Sequence, residues 1–316
     1  MDCVDIVMAT YNGEKYLAAQ IESLLGQTYK NWRLLVTDDG STDRTLDILN
    51  GYANVHDRII IVNTDRQGGV VKNFSKGLTF CTSPYIMFCD QDDIWLTNKI
   101  SCMLGAMKVR ESSLGKETPL LGFSDLCLVD DVGSVIHDSF YQYNRLNPKN
   151  NLDYRYLLWR STVYGCTVIF NKELLYLAMP LPDNIPMHDQ WFALIAAKFG
   201  FVFFLPESLI YYRQHCNNAV GGVGTGFWRR FISTKRLYLN TKNASIKCVN
   251  QSNYLASGRW GGLQRVEAKR VNTINSLSRK LEFIKLYVLP YWSERKFYSI
   301  LFCLALLSGR FQGSIK

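Results

Sequence analysis

For its first 110 residues the chain repeats one pattern, and that pattern limits the possible folds more than any other feature. A short apolar run ends in a polar cluster, an amphipathic stretch follows, and the next apolar run begins. The apolar runs are VDIVMAT (4–10), WRLLVTDDG (32–40), RIIIVN (58–63) and YIMFC (85–89). EKYLAAQIESLLGQ (14–27) places Leu17, Ile21, Leu24 and Leu25 on one stripe and is the first predicted helix. STDRTLDILNGYA (41–53) is the second, with Ser41 as its expected N-cap. VKNFSKGLTFC (71–81) and IWLTNKISCMLGAMKVR (94–110) are the third and fourth. Strands without polar alternation are buried on both faces, and strands joined by helices run parallel. The expected class is α/β, a mainly parallel central sheet with helices on both faces.

Such sheets bind ligands beyond the carboxyl ends of their strands. Three predicted strand ends carry polar clusters: TYN (10–12), DDGSTD (38–43) and DQDD (90–93). Their coincidence points to a site; three solvated turns are the alternative. Further along, PLLGFSDLCLVDD (119–131) and YGCTVIF (164–170) read as strands, and FVFFLPESLIYYRQH (201–215) as two strands broken at Pro206. The glycines of GGVGTG (221–226) mark a boundary. The expected organisation is a catalytic domain over 1–226 and a basic, aromatic-rich helical region over 227–316.

A chain of 316 residues with 47% hydrophobic content can bury a large core. Its nine cysteines lack paired metal spacing, and no basic leader precedes the first strand, which fits a reducing compartment. The net charge of +9 is uneven: residues 227–316 hold 17 Lys and Arg against three Glu, a balance of +14. That imbalance favours a polyanionic surface as partner.

Asp90 and Asp92 share a face if the strand continues, and two carboxylates at that spacing suit Mg²⁺ or Mn²⁺ with phosphate oxygens completing the shell. Asp93 either caps a helix starting at Ile94 or joins the chemistry. The chain has neither a Walker lysine nor a dinucleotide glycine fingerprint. Asp39 can accept from a base or ribose. Tyr11 stacks on a base or packs a turn, and Lys72 reaches phosphates or stays on the surface.

The stretch VDIVMATYNGEKYLAAQIESLLGQTYKNWRLLVTDDGSTDRT together with YIMFCDQDDIW resembles glycosyltransferase family 2 over about residues 4–215. The resemblance implies the GT-A nucleotide-diphospho-sugar transferase fold. It implies nucleotide binding by Ala9, Thr10, Tyr11 and Asp39, and a DxD metal motif at Asp90-Gln91-Asp92. It brings Lys72, beside Asn73, toward the phosphates, at a position where arginine is commoner in the family. PMHDQWFALIAAKFG (186–200) resembles the segment that supplies the catalytic base, which falls on Asp189; His188 stands where many members have Glu. His188 would orient Asp189 or line the pocket, and an N-cap is the other role for Asp189. YYRQHCNNAVG (211–221) resembles bacterial rhamnosyltransferases and brings Arg213 and His215 toward the diphosphate or metal, with a structural histidine as the alternative.

The activity so implied is inverting, metal-dependent transfer of a sugar from a dTDP- or UDP-sugar, with dTDP-rhamnose favoured. The implied acceptor is a lipid-linked oligosaccharide of O-antigen or capsule assembly. A nucleotidyltransferase and a nucleic-acid-binding protein using the basic tail are the rival readings; nucleic acid is not the expected partner. The tail over 283–311 mixes apolar blocks with Lys285, Arg295, Lys296 and Arg310 and is interrupted at Pro290. It is expected to rest on the anionic cytoplasmic face of the inner membrane. A buried helix at 298–307 covering the catalytic body is the alternative.

Overall fold

Val4, Ile6, Val7 and Met8 of the first strand are all fully buried, although neighbouring side chains point to opposite faces of a sheet. Both faces are therefore covered, and the same holds for Ile86 to Cys89. The computed structural model describes residues 2–215, 234–256, 276–294 and 296–308.

The elements follow in order β1 (Val4–Thr10), α1 (Leu17–Leu25), β2 (Trp32–Asp38), α2 (Thr45–Ala53), β3 (Ile59–Asn63), α3 (Val70–Leu78) and β4 (Tyr85–Cys89). After β4 come β5 (Ile94–Trp95), α4 (Lys99–Leu114), β6 (Leu120–Val129), β7 (Val135–His137), α5 (Phe140–Asn144), α6 (Tyr154–Leu157) and β8 (Val168–Asn171). The rest are α7 (Lys172–Ala178), α8 (His188–Phe199), β9 (Phe201–Arg213), α9 (Thr234–Ala256), α10 (Leu277–Phe283) and α11 (Lys296–Ser308).

One sheet runs β3-β2-β1-β4-β8-β6-β9-β5, with β7 paired to β6. It is parallel from β3 to β4 and again between β6 and β9, while β8, β5 and β7 pair antiparallel. The α/β class and the parallel block are as expected.

Four local readings change. Ile94 and Trp95 do not open a helix; they pair with Tyr211 and Ile210 of β9, and α4 starts at Lys99. Ser41 is not an N-cap, because α2 starts at Thr45. Pro206 does not split β9: the register against β6 jumps from Leu205 to Ser208, and that bulge absorbs a residue with no N–H to give. The 164–170 run begins as a 3₁₀ turn at Gly165–Thr167 before β8.

Among the described residues, α9, α11 and Glu294 pack on the body through the segment around α6. Gln251 Nε2 donates to the Leu157 carbonyl at 3.1 Å, and Phe302 sits 5.3 Å from Trp159, ring to ring. Tyr156 Oη donates to Glu294 Oε2 at 2.7 Å. The expected boundary at 221–226 lies outside the described residues. The eight described cysteines are all free.

Candidate active site

The polar ends of β1 and β2 are tied to each other. Asp38 Oδ1 accepts from Thr10 Oγ1 at 2.8 Å and from Ser41 Oγ at 2.6 Å. Asn12, at φ 47°, donates its amide to Ser41 Oγ and accepts from the Thr42 amide, both at 2.9 Å. Asn tolerates this left-handed conformation better than most residues. Much of DDGSTD thus holds two loops together.

Asp39 faces the other way. Its carboxylate accepts the amides of Gln67, Gly68 (2.8 Å) and Gly69 (2.7 Å). Gly68 and Gly69 adopt φ of 84° and 123°, which lets successive N–H groups turn toward one carboxylate. Burial alone would raise the Asp39 pKa, but these amides and the Arg66 charge hold it below its ordinary value.

Tyr11 is placed by Gln91. The Tyr11 amide donates to Gln91 Oε1 at 2.9 Å, and Gln91 Nε2 returns a bond to the Tyr11 carbonyl at 3.1 Å. The tyrosine side chain is left 50% exposed. Gly13 makes room for this pair, since a Cβ there would lie 2.3 Å from Gln91 Oε1.

Beyond β4 the chain is gripped by the end of β9. Asp93 is buried and accepts the Arg213 amide on Oδ1 at 3.2 Å; it caps no helix at Ile94. Arg213 Nε donates to the Asp92 carbonyl at 3.1 Å, and its Nη1 to the Asp131 carbonyl at 2.8 Å. His215 Nε2 lies 2.9 Å from Asp92 Oδ2, and its ring stacks on Tyr16 at 4.9 Å. Asp90, Asp93 and Cys166 bring ligand atoms within 4.8 Å of one another.

Asp189 sits in the first turn of α8. Met187 is the N-cap, so Asp189 is not. Its Oδ1 accepts from the Gln190 amide at 2.6 Å. His188 is buried, and neither ring nitrogen has a hydrogen-bond partner among the described residues. It therefore does not orient Asp189 through a hydrogen bond.

A cavity of about 520 Å³ collects these groups. Ala9, Thr10, Tyr11 and Asp39 line one part of it; Asp90, Gln91 and Asp92 line another; His188 and Asp189 complete the set. Lys72 is exposed and outside the lining. Arg66 lines the cavity instead, with Gly68, Gly69 and the buried Asn73, whose Nδ2 donates to the carbonyls of Thr10 (3.2 Å) and Thr37 (3.0 Å). Arg213 and His215 stand behind Asp92 and are not part of the lining. Sequence reasoning missed Arg66, whose only local signal is a polar, glycine-ended loop.

The electrostatics set apart the carboxylates near α8. Burial, then the charges of Asp92 and Asp189, push Asp90 up to about 7. Burial pushes Asp189 to about 7 against the amides of Gln190 and Gly165. Asp93 is raised well above its ordinary value by burial and by Asp92 and Asp90. Burial also raises the Cys166 thiol, which stays protonated. Lys99, buried beneath them, is lowered to about 7 by desolvation.

Residues 5–114 match the family described as glycosyl transferase family 2. The chain is similar to the UDP-Glc:alpha-D-GlcNAc-diphosphoundecaprenol beta-1,3-glucosyltransferase WfaP of Escherichia coli. That alignment is 37% identical over 35% of this chain and 43% of the relative. It is also similar to the dTDP-rhamnosyl transferase RfbG of Shigella flexneri, 27% identical over 68% of this chain and 73% of that one. Among solved structures, Staphylococcus aureus TarS 1–349 in complex with UDP-GlcNAc superposes with a TM-score of 0.54 at 17% identity. The match covers 98% of this chain and 91% of that one, and it shows the GT-A fold.

Proposed function

We propose that the chain acts as a glycosyltransferase of family 2 and moves a sugar, with inversion, from a nucleotide diphosphate donor to a hydroxyl of a lipid-linked saccharide in surface polysaccharide assembly. The observation that carries this reading is the convergence of Asp39, the Asp90/Asp92 pair and Asp189 on one cavity. A nucleotide bound along Ala9, Thr10, Tyr11 and Asp39 brings its diphosphate toward Asp90 and Asp92, near Arg66. An acceptor hydroxyl loses its proton to Asp189 as its oxygen forms the bond to the anomeric carbon. The bond to the diphosphate breaks on the opposite side, so a single displacement inverts the centre and the nucleotide diphosphate leaves.

The donor set fits a hard divalent cation. Asp90 and Asp92 offer carboxylate oxygens, and Asp90 is raised partly by the neighbouring negative charges that a cation would offset. Cys166, the softer donor near Asp90 and Asp93, is not part of the cavity lining, which leaves oxygen donors there. Asp90 and Asp92 would hold Mg²⁺ or Mn²⁺, with His215 fixing Asp92 from behind. When bound, such an ion neutralises charge on the departing diphosphate.

HDQW (188–191) and the likeness to RfbG put dTDP-rhamnose first among donors to test, and the likeness to WfaP puts UDP-glucose second. The test is nucleotide release from each donor with a synthetic GlcNAc-diphospho-lipid acceptor, with Mg²⁺ or Mn²⁺ and with EDTA. Release that needs both acceptor and metal is expected. Pyrophosphate release from a nucleoside triphosphate would instead favour nucleotidyl transfer.

We also propose that residues 1–226 form the catalytic unit and that the helical region after them seats it on the cytoplasmic face of the inner membrane. No described helix is long and apolar enough to cross a bilayer. One face of α11 packs inward with Phe302, Ala305 and Leu306 buried. Phe297, Ile300 and Leu304 are exposed at helical spacing on the other, and α10 exposes Leu277 and Leu281. Flotation with anionic vesicles tests this. Serine at 297, 300 and 304 should weaken binding without unfolding the chain; flotation equal to wild type removes the stripe from the proposal.

A further inference from the structure

His188 is unusual among the buried polar groups. Its side chain is 4% exposed, its ring stacks on Phe74 at 4.0 Å and meets the edge of Phe88 at 4.7 Å, and both nitrogens lack partners. Leaving a buried donor or acceptor unmade is costly, and native proteins rarely do so without a reason. Among the described residues with such orphaned side-chain atoms, only His188 and Asn73 line the cavity. Asn73 has its amide nitrogen engaged on two carbonyls, whereas His188 has nothing engaged.

Burial lowers the His188 pKa to about 3, so the ring is neutral at working pH, with one N–H and one lone pair. A sugar hydroxyl is both donor and acceptor and can satisfy either nitrogen. His188 and Asp189 also open onto the same place. A Cβ on Gly165 would lie 3.0 Å from His188 Nε2 and 3.6 Å from Asp189 Oδ2, so this glycine leaves both groups accessible to one ligand.

We infer that His188 is a sugar-binding residue, hydrogen-bonding an acceptor hydroxyl next to the one that Asp189 deprotonates and selecting sugars that carry it. The inference rests on the transfer reading above. Two aromatic rings fix the imidazole plane, so the bond is made without ordering a loose side chain. A site built to pair a hydroxyl discriminates strongly against a substrate that lacks it.

The test uses the full chain and two variants. His188→Phe keeps a flat ring against Phe74 and Phe88 and removes both nitrogens; His188→Gln restores polar atoms. Substrates are the GlcNAc-diphospho-lipid and its monodeoxy analogues. His188→Phe should melt above wild type, because an unpaired buried group is gone, and should bind UDP within about two-fold of it. Its kcat/KM with the full acceptor should fall about 10–100-fold, the range for losing a buried polar contact. Its preference over one deoxy analogue should collapse, and His188→Gln should recover part of that preference. A His188→Phe enzyme that keeps both its rate and its preference overturns the inference and leaves the transfer reading intact. If wild type releases no nucleotide from any donor, the transfer reading fails instead. The melting temperatures then decide His188: a phenylalanine variant melting at or below wild type overturns its role as a group held open for ligand.

Discussion

Asp39 in the DDGSTD loop at the end of β2 and Asp90 in the DQDD loop after β4 stand in opposite electrostatic states. Asp39 accepts three backbone amides and is held below its ordinary pKa. Burial outweighs what their hydrogen bonds return at Asp90 and Asp189, which sit near 7, with the charges of Asp92 and Asp189 adding to the rise at Asp90. The first kind of carboxylate shapes a loop and presents what remains of its lone pairs. The second kind is crowded and under-solvated, a state in which metal binding or proton transfer is favourable. Composition cannot separate them; the balance of burial against hydrogen bonds and neighbouring charge does.

The sharpest way to break this contrast is Asp92→Ala. It removes one of the two carboxylates of the proposed metal site and the Asp92 contact to His215. Turnover should fall about 10³-fold, corresponding to roughly 4 kcal/mol in the transition state, with the melting temperature little changed. Near-normal turnover in EDTA would end the metal assignment.

Asp189→Asn comes next. It keeps the size and removes the proton acceptor, so kcat should drop roughly 10²-fold or more while UDP affinity by calorimetry stays within about two-fold. Wild-type kcat/KM should rise with pH through about 7, because Asp189 acts only when ionised. Stability should move oppositely. Burial favours the neutral acid, so the Asp189 contribution is whole below the unfolded value of about 4 and is lost as pH climbs through about 7. The asparagine variant should therefore melt above wild type at pH 8 and with it at pH 4. Equal melting at both would show that Asp189 is not strained by burial.

Asp39→Ala should be the mildest in rate. It orphans the amides of residues 67–69, costing about 1–3 kcal/mol of stability, and weakens UDP binding about tenfold. A variant that binds UDP as wild type does, by calorimetry, would make Asp39 purely architectural.

The parallel block was legible because its strands and helices are local and periodic, and each strand ends where the apolar run does. The pairing of Ile94-Trp95 with Tyr211 and Ile210 was not, since a two-residue strand has no period and its partner is more than a hundred residues away. Pro206 misled because a bulge in β9 against β6 is set by the partner strand. In the site, Asp39, Asp90 and Asp92 were legible from type and position and Asp189 from the family resemblance, and all of them line the cavity. Lys72 and Arg66 show the limit: the helix and the loop before it both offer cations, and residue type does not say that Arg66 lines the cavity and Lys72 stays outside it. The isolation of His188 was invisible in sequence, because a missing partner is a property of packing.

The grip of β9 on the chain beyond β4 also sets a timetable. The amide that Asp93 accepts belongs to Arg213, 120 positions later. At a synthesis rate of about 5–20 residues per second, roughly 6–24 s separate the appearance of one partner from that of the other. The strands around Asp39 have all emerged by then. On the ribosome the strands around Asp39 can assemble early, while the charged cluster around Asp92 and Asp93 waits for Arg213 to be made.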